Sequence, residues 1–226
     1  MTGIDEGGQH MAGAAQRDPM VSPPKIPGVG ASFADPGPLG LAGFAMTTLF
    51  LSAVNTNMLG ASVQTIVLGL ALFYGGLAQL LAGMWEFAKG NTFGAVAFSS
   101  YGAFWLSFWY LLNHLPDKAA PKDILHGVAL YLLCWAIFTA YMTVASSRTT
   151  GSILAVFVLL TLTYVALTIG WFSESIVEFG KNSNVWIHIG GWLGILTAIA
   201  AWYASFASVV NSTFKKVVLP TFPLAR

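Results

Sequence analysis

What this chain has least of is charge. Of its 226 residues only 8% are Asp, Glu, Lys or Arg, while 56% are apolar; a soluble domain carries about 25% charged residues. So little charge cannot cover a water-facing surface over a chain of this length, so most of that surface must face lipid. Cysteine is nearly absent as well. Cys134 stands alone, which excludes an intrachain disulfide framework and a thiolate metal cluster. A net charge of +1 leaves no electrostatic footprint for nucleic acid. The sequence also lacks a His-rich helix with metal spacing, a G-x-S-x-G turn, a P-loop and an Arg-rich helix. Nothing therefore points to an enzyme, a metal or cofactor site, an ATP-driven pump or a voltage sensor.

The charges that are present mark out the fold. No charged residue occurs between Asp35 and Glu86, from Gly90 to Pro116, from Ile124 to Ser147, from Thr149 to Ser173 or from Asn182 to Phe214. A spanning helix needs roughly 17–25 predominantly apolar residues. The first gap holds one full span and most of a second, and each of the others holds one. This predicts an all-α integral membrane protein with six transmembrane helices, near residues 38–57, 62–87, 91–113, 124–146, 150–172 and 184–210. Barrel strands would alternate apolar and polar over about ten residues, and these runs do not. Three helices fall on each side of the 116–123 loop, which suggests a 3+3 arrangement around a central pathway.

Lys and Arg set the orientation. With the N-terminus in the cytoplasm, Arg17, Lys25, Lys89, Arg148, Lys215, Lys216 and Arg226 lie inside, against Lys118, Lys122 and Lys181 outside. The positive-inside rule favours this topology, with both termini cytoplasmic. Residues 1–34 are rich in Gly, Pro, Ala and Ser and contain no apolar h-region, so they are expected to be a flexible cytoplasmic tail rather than a signal peptide. Residues 35–214 form the membrane domain and 215–226 a C-terminal cytoplasmic tail.

Polar side chains within the spans are the pointers to a pathway, because each costs free energy in lipid unless it finds a partner or water. Helical spacing puts Phe44, Thr48, Ser52 and Asn55 on one face of the first helix, and Gln79 and Glu86 on one face of the second. Asn91 and Tyr101 lie on the third helix; Thr161, Tyr164 and Thr168 lie on the fifth, with Leu160 beside them. For any one Thr, helix packing is the commoner use. Gln79 and Asn55 are costlier to bury, and for them the pathway weighs equally. Glu86, at a helix end next to Lys89, is expected to form a local ion pair with it. His188 is expected to face the protein interior, as are Trp105, Trp135, Trp192 and Trp202. The pairs Gly90/Gly94 and Gly190/Gly194 have the spacing of close helix packing.

Several strings then resemble a known family. Asp35-Pro36-Gly37-Pro38-Leu39-Gly40-Leu41-Ala42-Gly43-Phe44 looks like the N-P-[AV]-P-[LF]-G-L-x-[GSA]-F signature of the acetate uptake transporter family, which holds the succinate–acetate permeases of the YaaH type and their fungal relatives. Phe73-Tyr74-Gly75-Gly76-Leu77-Ala78-Gln79, Lys89-Gly90-Asn91-Thr92-Phe93-Gly94 and Ser100-Tyr101-Gly102-Ala103-Phe104-Trp105 follow in the family's order, as do His188, Gly191-Trp192 and Gly194. Asp35 departs from the signature Asn and Gly37 from the family's following residue. Asp still serves as a helix N-cap acceptor, but it adds a negative charge near one mouth. The two prolines, Pro36 and Pro38, are expected to hold the chain extended before the first helix. Gly40 allows close approach there.

The resemblance implies a multi-pass plasma (inner) membrane protein, assembled as a homo-hexamer in the bilayer. Each subunit would move acetate and other small carboxylates, succinate among them, by proton coupling or as a channel. It also implies a constriction built from Phe44, Tyr101 and Leu160, with the Tyr101 hydroxyl offered to the carboxylate. Pathway-lining candidates are Thr48, Asn55, Gln79, Asn91, Thr161 and Tyr164. The signature segment contributes Asp35, Pro36, Pro38 and Gly40. An alternative is a channel for a small neutral solute such as ammonia or urea, suggested by Asp35 and by the lack of any Lys or Arg deep in a span. A third reading is a membrane sensor that recruits partners through residues 1–34.

Overall fold

The computed structural model describes residues 33–115, 119–174 and 184–224. Residues 1–32 of the expected tail and most of the 174–183 loop lie outside the described residues. Six helices are long and apolar enough to cross a membrane: α1 (Gly37–Asn55), α2 (Thr65–Lys89), α3 (Thr92–Asn113), α4 (Pro121–Ser146), α5 (Gly151–Ser173) and α6 (Val185–Phe214). The charge-free gaps located each of them to within a few residues.

Their ends follow ordinary helix chemistry. Gly90 stops α2 in the left-handed conformation, at φ 77°, where a side chain would be strained. Asn91 then caps α3, its Oδ1 accepting the Gly94 N–H at 3.2 Å. Thr150 caps α5 and Asn184 caps α6 by the same device. Pro121 opens α4, where its missing N–H leaves nothing unsatisfied.

The start of α1 corrects one expectation. Pro36 is the N-cap in helical conformation, and Pro38 sits in the first turn. The Pro-Gly-Pro run therefore builds the first turn rather than an extended lead-in, because first-turn residues have no intrahelical acceptor for an N–H. Asp35, expected as the N-cap acceptor, instead precedes the N-cap, and its Oδ1 accepts the Gly37 N–H at 3.1 Å.

Helix α2 is not uniform. Between α-helical Gln64–Leu72 and Gln79–Lys89 it widens into a π-turn over Phe73–Ala78. Gly75 within this turn lies against α1 and α3: a Cβ there would stand 2.5 Å from Thr47 Oγ1 and 2.9 Å from Trp105 Cδ1. A π-turn rotates the rest of the helix relative to its first half, and Gln79 and Glu86 lie in that rotated part.

The two halves of the chain are each a run of neighbours, α1 on α2 on α3 and α4 on α5 on α6. Helix α1 also packs against α6, whereas α3 only grazes α4. Gly190, Gly191 and Gly194 of α6 meet Leu167, Thr56 and Ser52, which brings α5 and α1 close. The pair Gly90/Gly94 does not act this way: Gly90 is the α2 cap, and Gly94 lies against Asn91 and Glu86 of the same corner. Large apolar side chains such as Phe73, Ile137 and Val144 point outward, at 65%, 61% and 74% exposure, as a lipid-facing surface requires. Trp192, expected inside, is on that surface at 55% exposure.

The last ten described residues fold back on the helices. Lys215 turns the chain in the left-handed conformation at φ 53°. Asn211 then clamps the strand, its Oδ1 accepting Val218 N and Leu219 N at 2.7 and 3.0 Å and its Nδ2 donating to Leu219 O at 2.7 Å. Tyr203 donates to Pro220 O at 2.6 Å. Beyond this, the N–H groups of Gly151 and Ser152, which open α5, donate to Phe222 O and Thr221 O, and Leu224 N donates to Thr149 O. The expected tail is thus a strap holding α6 to the start of α5.

Candidate functional site: two cavities meeting at Phe44 and Leu160

An even number of spans places both described ends on one side, called here the near side. Two cavities lie toward opposite ends of the bundle. The far-side cavity, of about 350 Å³, is lined by α1, α3, α4 and α5. The near-side cavity, of about 320 Å³, runs between the signature segment, the α2–α3 corner, α5 and the strap residue Thr221. Phe44 and Leu160 line both. Both side chains are buried, at 5% and 4% exposure, and mark where the two spaces adjoin.

Tyr101 lines the near cavity at that junction. Its ring lies among Phe44, Phe138 and Phe157, with centroids 5.9, 5.3 and 6.1 Å away. Its hydroxyl is 2.9 Å from Thr139 Oγ1. Thr139 has one hydroxyl proton and donates it to Trp135 O at 2.7 Å, so Tyr101 is the donor to Thr139. The Tyr101 hydroxyl thus has a partner on α4, while Tyr101 lines the near cavity.

The polar candidates divide between the cavities. Thr48, Asn55 and Tyr164 line the far one, and Gln79, Asn91, Asp35 and Pro38 the near one. Thr48, Ser52 and Asn55 fall on one buried face, as their spacing suggests. Thr161 is elsewhere: it donates to Phe157 O at 2.8 Å and meets Thr143 Oγ1 at 2.8 Å, joining α5 to α4. Pro36 and Gly40 line neither cavity. Pro36 O accepts Gly40 N at 3.2 Å, and Gly40 makes room for Phe98, whose ring a Cβ would meet at 2.6 Å. His188 is half-buried near the far side, with Nε2 3.1 Å from Asn57 Nδ2.

The sequence did not single out Trp105 as a lining residue. Its Nε1 and the Thr48 hydroxyl are buried, border the far cavity and have no hydrogen-bond partner among the described residues. Buried donors are rarely left so, and both can serve a solute in that space. Gln79 Oε1 is likewise unpartnered beside the near cavity.

Among the described residues lining these two cavities, the charged ones are at the near mouth. The expected Glu86–Lys89 pair does not form. Lys89 Nζ reaches Asp35 Oδ1 at 2.7 Å, while Glu86 turns inward, is 1% exposed and accepts Asn91 Nδ2 at 2.8 Å. The αL cap at Gly90 reverses the chain, so that Asn91 rather than Lys89 comes over the Glu86 carboxyl.

The chain is similar to characterised proteins over most of its length. It is 39% identical over 199 residues to ammonia transport outward protein 2 of Saccharomyces cerevisiae, covering 85% of this chain and 67% of that one. It is 38% identical over 189 residues to the succinate-acetate/proton symporter SatP of Escherichia coli, covering 83% of this chain and 94% of that one. Among solved structures, that of the bacterial acetate channel SatP superposes with a TM-score of 0.73 at 36% identity, over 84% of this chain and 99% of the other. The sequence profile of the GPR1/FUN34/yaaH family matches residues 19–226. With the family's profile over nearly the whole chain, and with six spans superposing on a solved relative, this protein belongs to the GPR1/FUN34/yaaH family.

Proposed function

We propose that the protein carries acetate and related small carboxylates, succinate among them, across the membrane through the two cavities of each subunit. The observation that carries this reading is that Phe44 and Leu160 line both of two cavities that lie toward opposite ends of the bundle. Phe44, Tyr101 and Leu160 form the constriction. Apolar walls there pass a small solute that has shed its water and resist hydrated ions. On the far side Thr48, Trp105 and Asn55 supply hydrogen-bond donors; on the near side Gln79 and Asn91 do so. The near side is cytoplasmic, in keeping with the excess of Lys and Arg there. Six such subunits make a homo-hexamer in the inner membrane, with residues 1–34 as a cytoplasmic tail. The names of the relatives, a succinate-acetate/proton symporter and an acetate channel, support the substrate class.

The test is uptake of labelled acetate into liposomes containing the purified protein, with and without a pH gradient. Uptake above that of empty liposomes is expected, and its absence under both conditions overturns the reading. A second reading, conduction of a small neutral solute such as ammonia, draws on one relative's name and on an uncharged constriction. Swelling of the same liposomes in ammonia or urea against acetate separates the two.

A further inference from the structure

The near mouth contains two carboxyl groups, Asp35 and Glu86, and a single ammonium, Lys89, all lining the cavity. Arg148, Lys215 and Lys216 are on the same side but are exposed and do not line it. Among the described residues that line it, a carboxylate passing this mouth therefore meets one cation. That cation's charge is partly offset, because Asp35 Oδ1 lies 2.7 Å from Lys89 Nζ. The carboxylate is itself fixed, since the same oxygen accepts the Gly37 N–H at 3.1 Å, the first N–H of α1. The pair is half-exposed, with side-chain exposures of 33% for Lys89 and 48% for Asp35. At such a site an ion pair adds little stability, while its charges still act on ions in the adjoining cavity.

We propose that the Asp35–Lys89 pair is the charge filter of the near mouth. Asp35 offsets the ammonium that, among the described lining residues, would draw in carboxylate anions, and the balance of the two sets the preference of this mouth between anion, cation and uncharged solute. The proposal rests on solute passing through the near cavity. Asp35→Asn makes the mouth one unit less negative and leaves Lys89 facing the cavity. Lys89→Gln makes it one unit more negative. The double variant restores the original sum. These differences hold whatever the protonation of Glu86.

A purely structural pair predicts something else. If the pair only staples the signature segment to the α2–α3 corner, each single variant cuts the same staple and both move transport in the same direction. A charge filter moves them in opposite directions. The experiment is current across planar bilayers containing the purified full chain in a potassium acetate gradient, with the reversal potential giving the acetate-to-potassium permeability ratio. One unit charge ~6 Å from the ion at a half-exposed site changes its local concentration by about fivefold. Because acetate and potassium respond oppositely, Asp35→Asn is expected to raise the ratio by up to about 25-fold, Lys89→Gln to lower it by a similar factor, and the double variant to return close to the wild type. Size-exclusion profiles show whether each variant is assembled. If one single variant fails to assemble, the other's direction of change and the double variant still decide the matter. Shifts in the same direction, or no shift in variants that conduct acetate, overturn the charge filter and leave the pathway reading standing. Absence of acetate current together with absence of liposome uptake in the wild type removes the pathway reading, and the filter with it; uptake without current overturns the filter alone.

Discussion

The rings of Phe44 and Tyr101 stand 5.9 Å apart, tilted by 54°, one from the first helix and one from the third. Leu160 of the fifth helix joins them where the two cavities adjoin, with no charged group among the three. On the proposed route a solute crosses along hydrocarbon and aromatic faces, with hydrogen-bonding groups lining the cavities on either side.

Shortening Leu160 should widen the proposed constriction. Leu160→Ala is expected to raise the ratio of lactate to acetate uptake on the order of tenfold, the scale of discrimination that one or a few methylenes impose in an apolar site. Competition between labelled acids in liposomes measures it. An unchanged ratio would place the narrowest point elsewhere.

Tyr101→Phe keeps the ring and removes the bond to Thr139. Loss of one buried hydrogen bond should cost about 1 kcal/mol, visible as a lower melting temperature in detergent, while acetate uptake stays within about threefold of the wild type. Abolished uptake with unchanged melting would mean that the hydroxyl serves the solute and not α4.

At the π-turn, Gly75→Ala forces a methyl group against Thr47 and Trp105. Overpacking of this kind typically costs about 1–3 kcal/mol, so a lower melting temperature is expected. Gly69, on the same span with open space beside its α-carbon, is the control: Gly69→Ala should leave melting the same or slightly raised.

Asn211→Ala removes the three bonds that clamp the strap. Local opening should become easier by about 1–3 kcal/mol, and limited proteolysis should release the C-terminal segment faster while circular dichroism still reports the helices. Equal cleavage rates would mean that the bonds from Gly151, Ser152 and Tyr203 hold the strap unaided.

The spans were legible in the sequence because lipid forbids charge over long stretches, and such gaps are visible without any contact information. The polar face at Thr48, Ser52 and Asn55 was legible for a similar reason, since helical spacing alone brings those residues together. The π-turn was not, because Phe73–Ala78 has the same apolar character as the α-helix around it and differs only in which carbonyl each N–H reaches. Nor was the strap: its bonds run largely to backbone carbonyls, which leave no side-chain pattern. Thr161 has the same spacing credentials as Tyr164, yet it turns toward Thr143, a neighbour that spacing within one helix cannot reveal. The Lys89 partner was misjudged because sequence proximity favoured Glu86, three positions away. The turn at Gly90 instead sends Lys89 to Asp35, across 54 positions.

The strap has a practical bearing on how this protein can be handled. Thr221 belongs to the wall of the near cavity. A purification handle or fluorescent reporter inserted directly after the strap would hang from the vestibule itself, and its bulk would pull on the same backbone bonds that close the start of the fifth helix. The choice of where to place a label is therefore also a choice about the shape of the near cavity's opening.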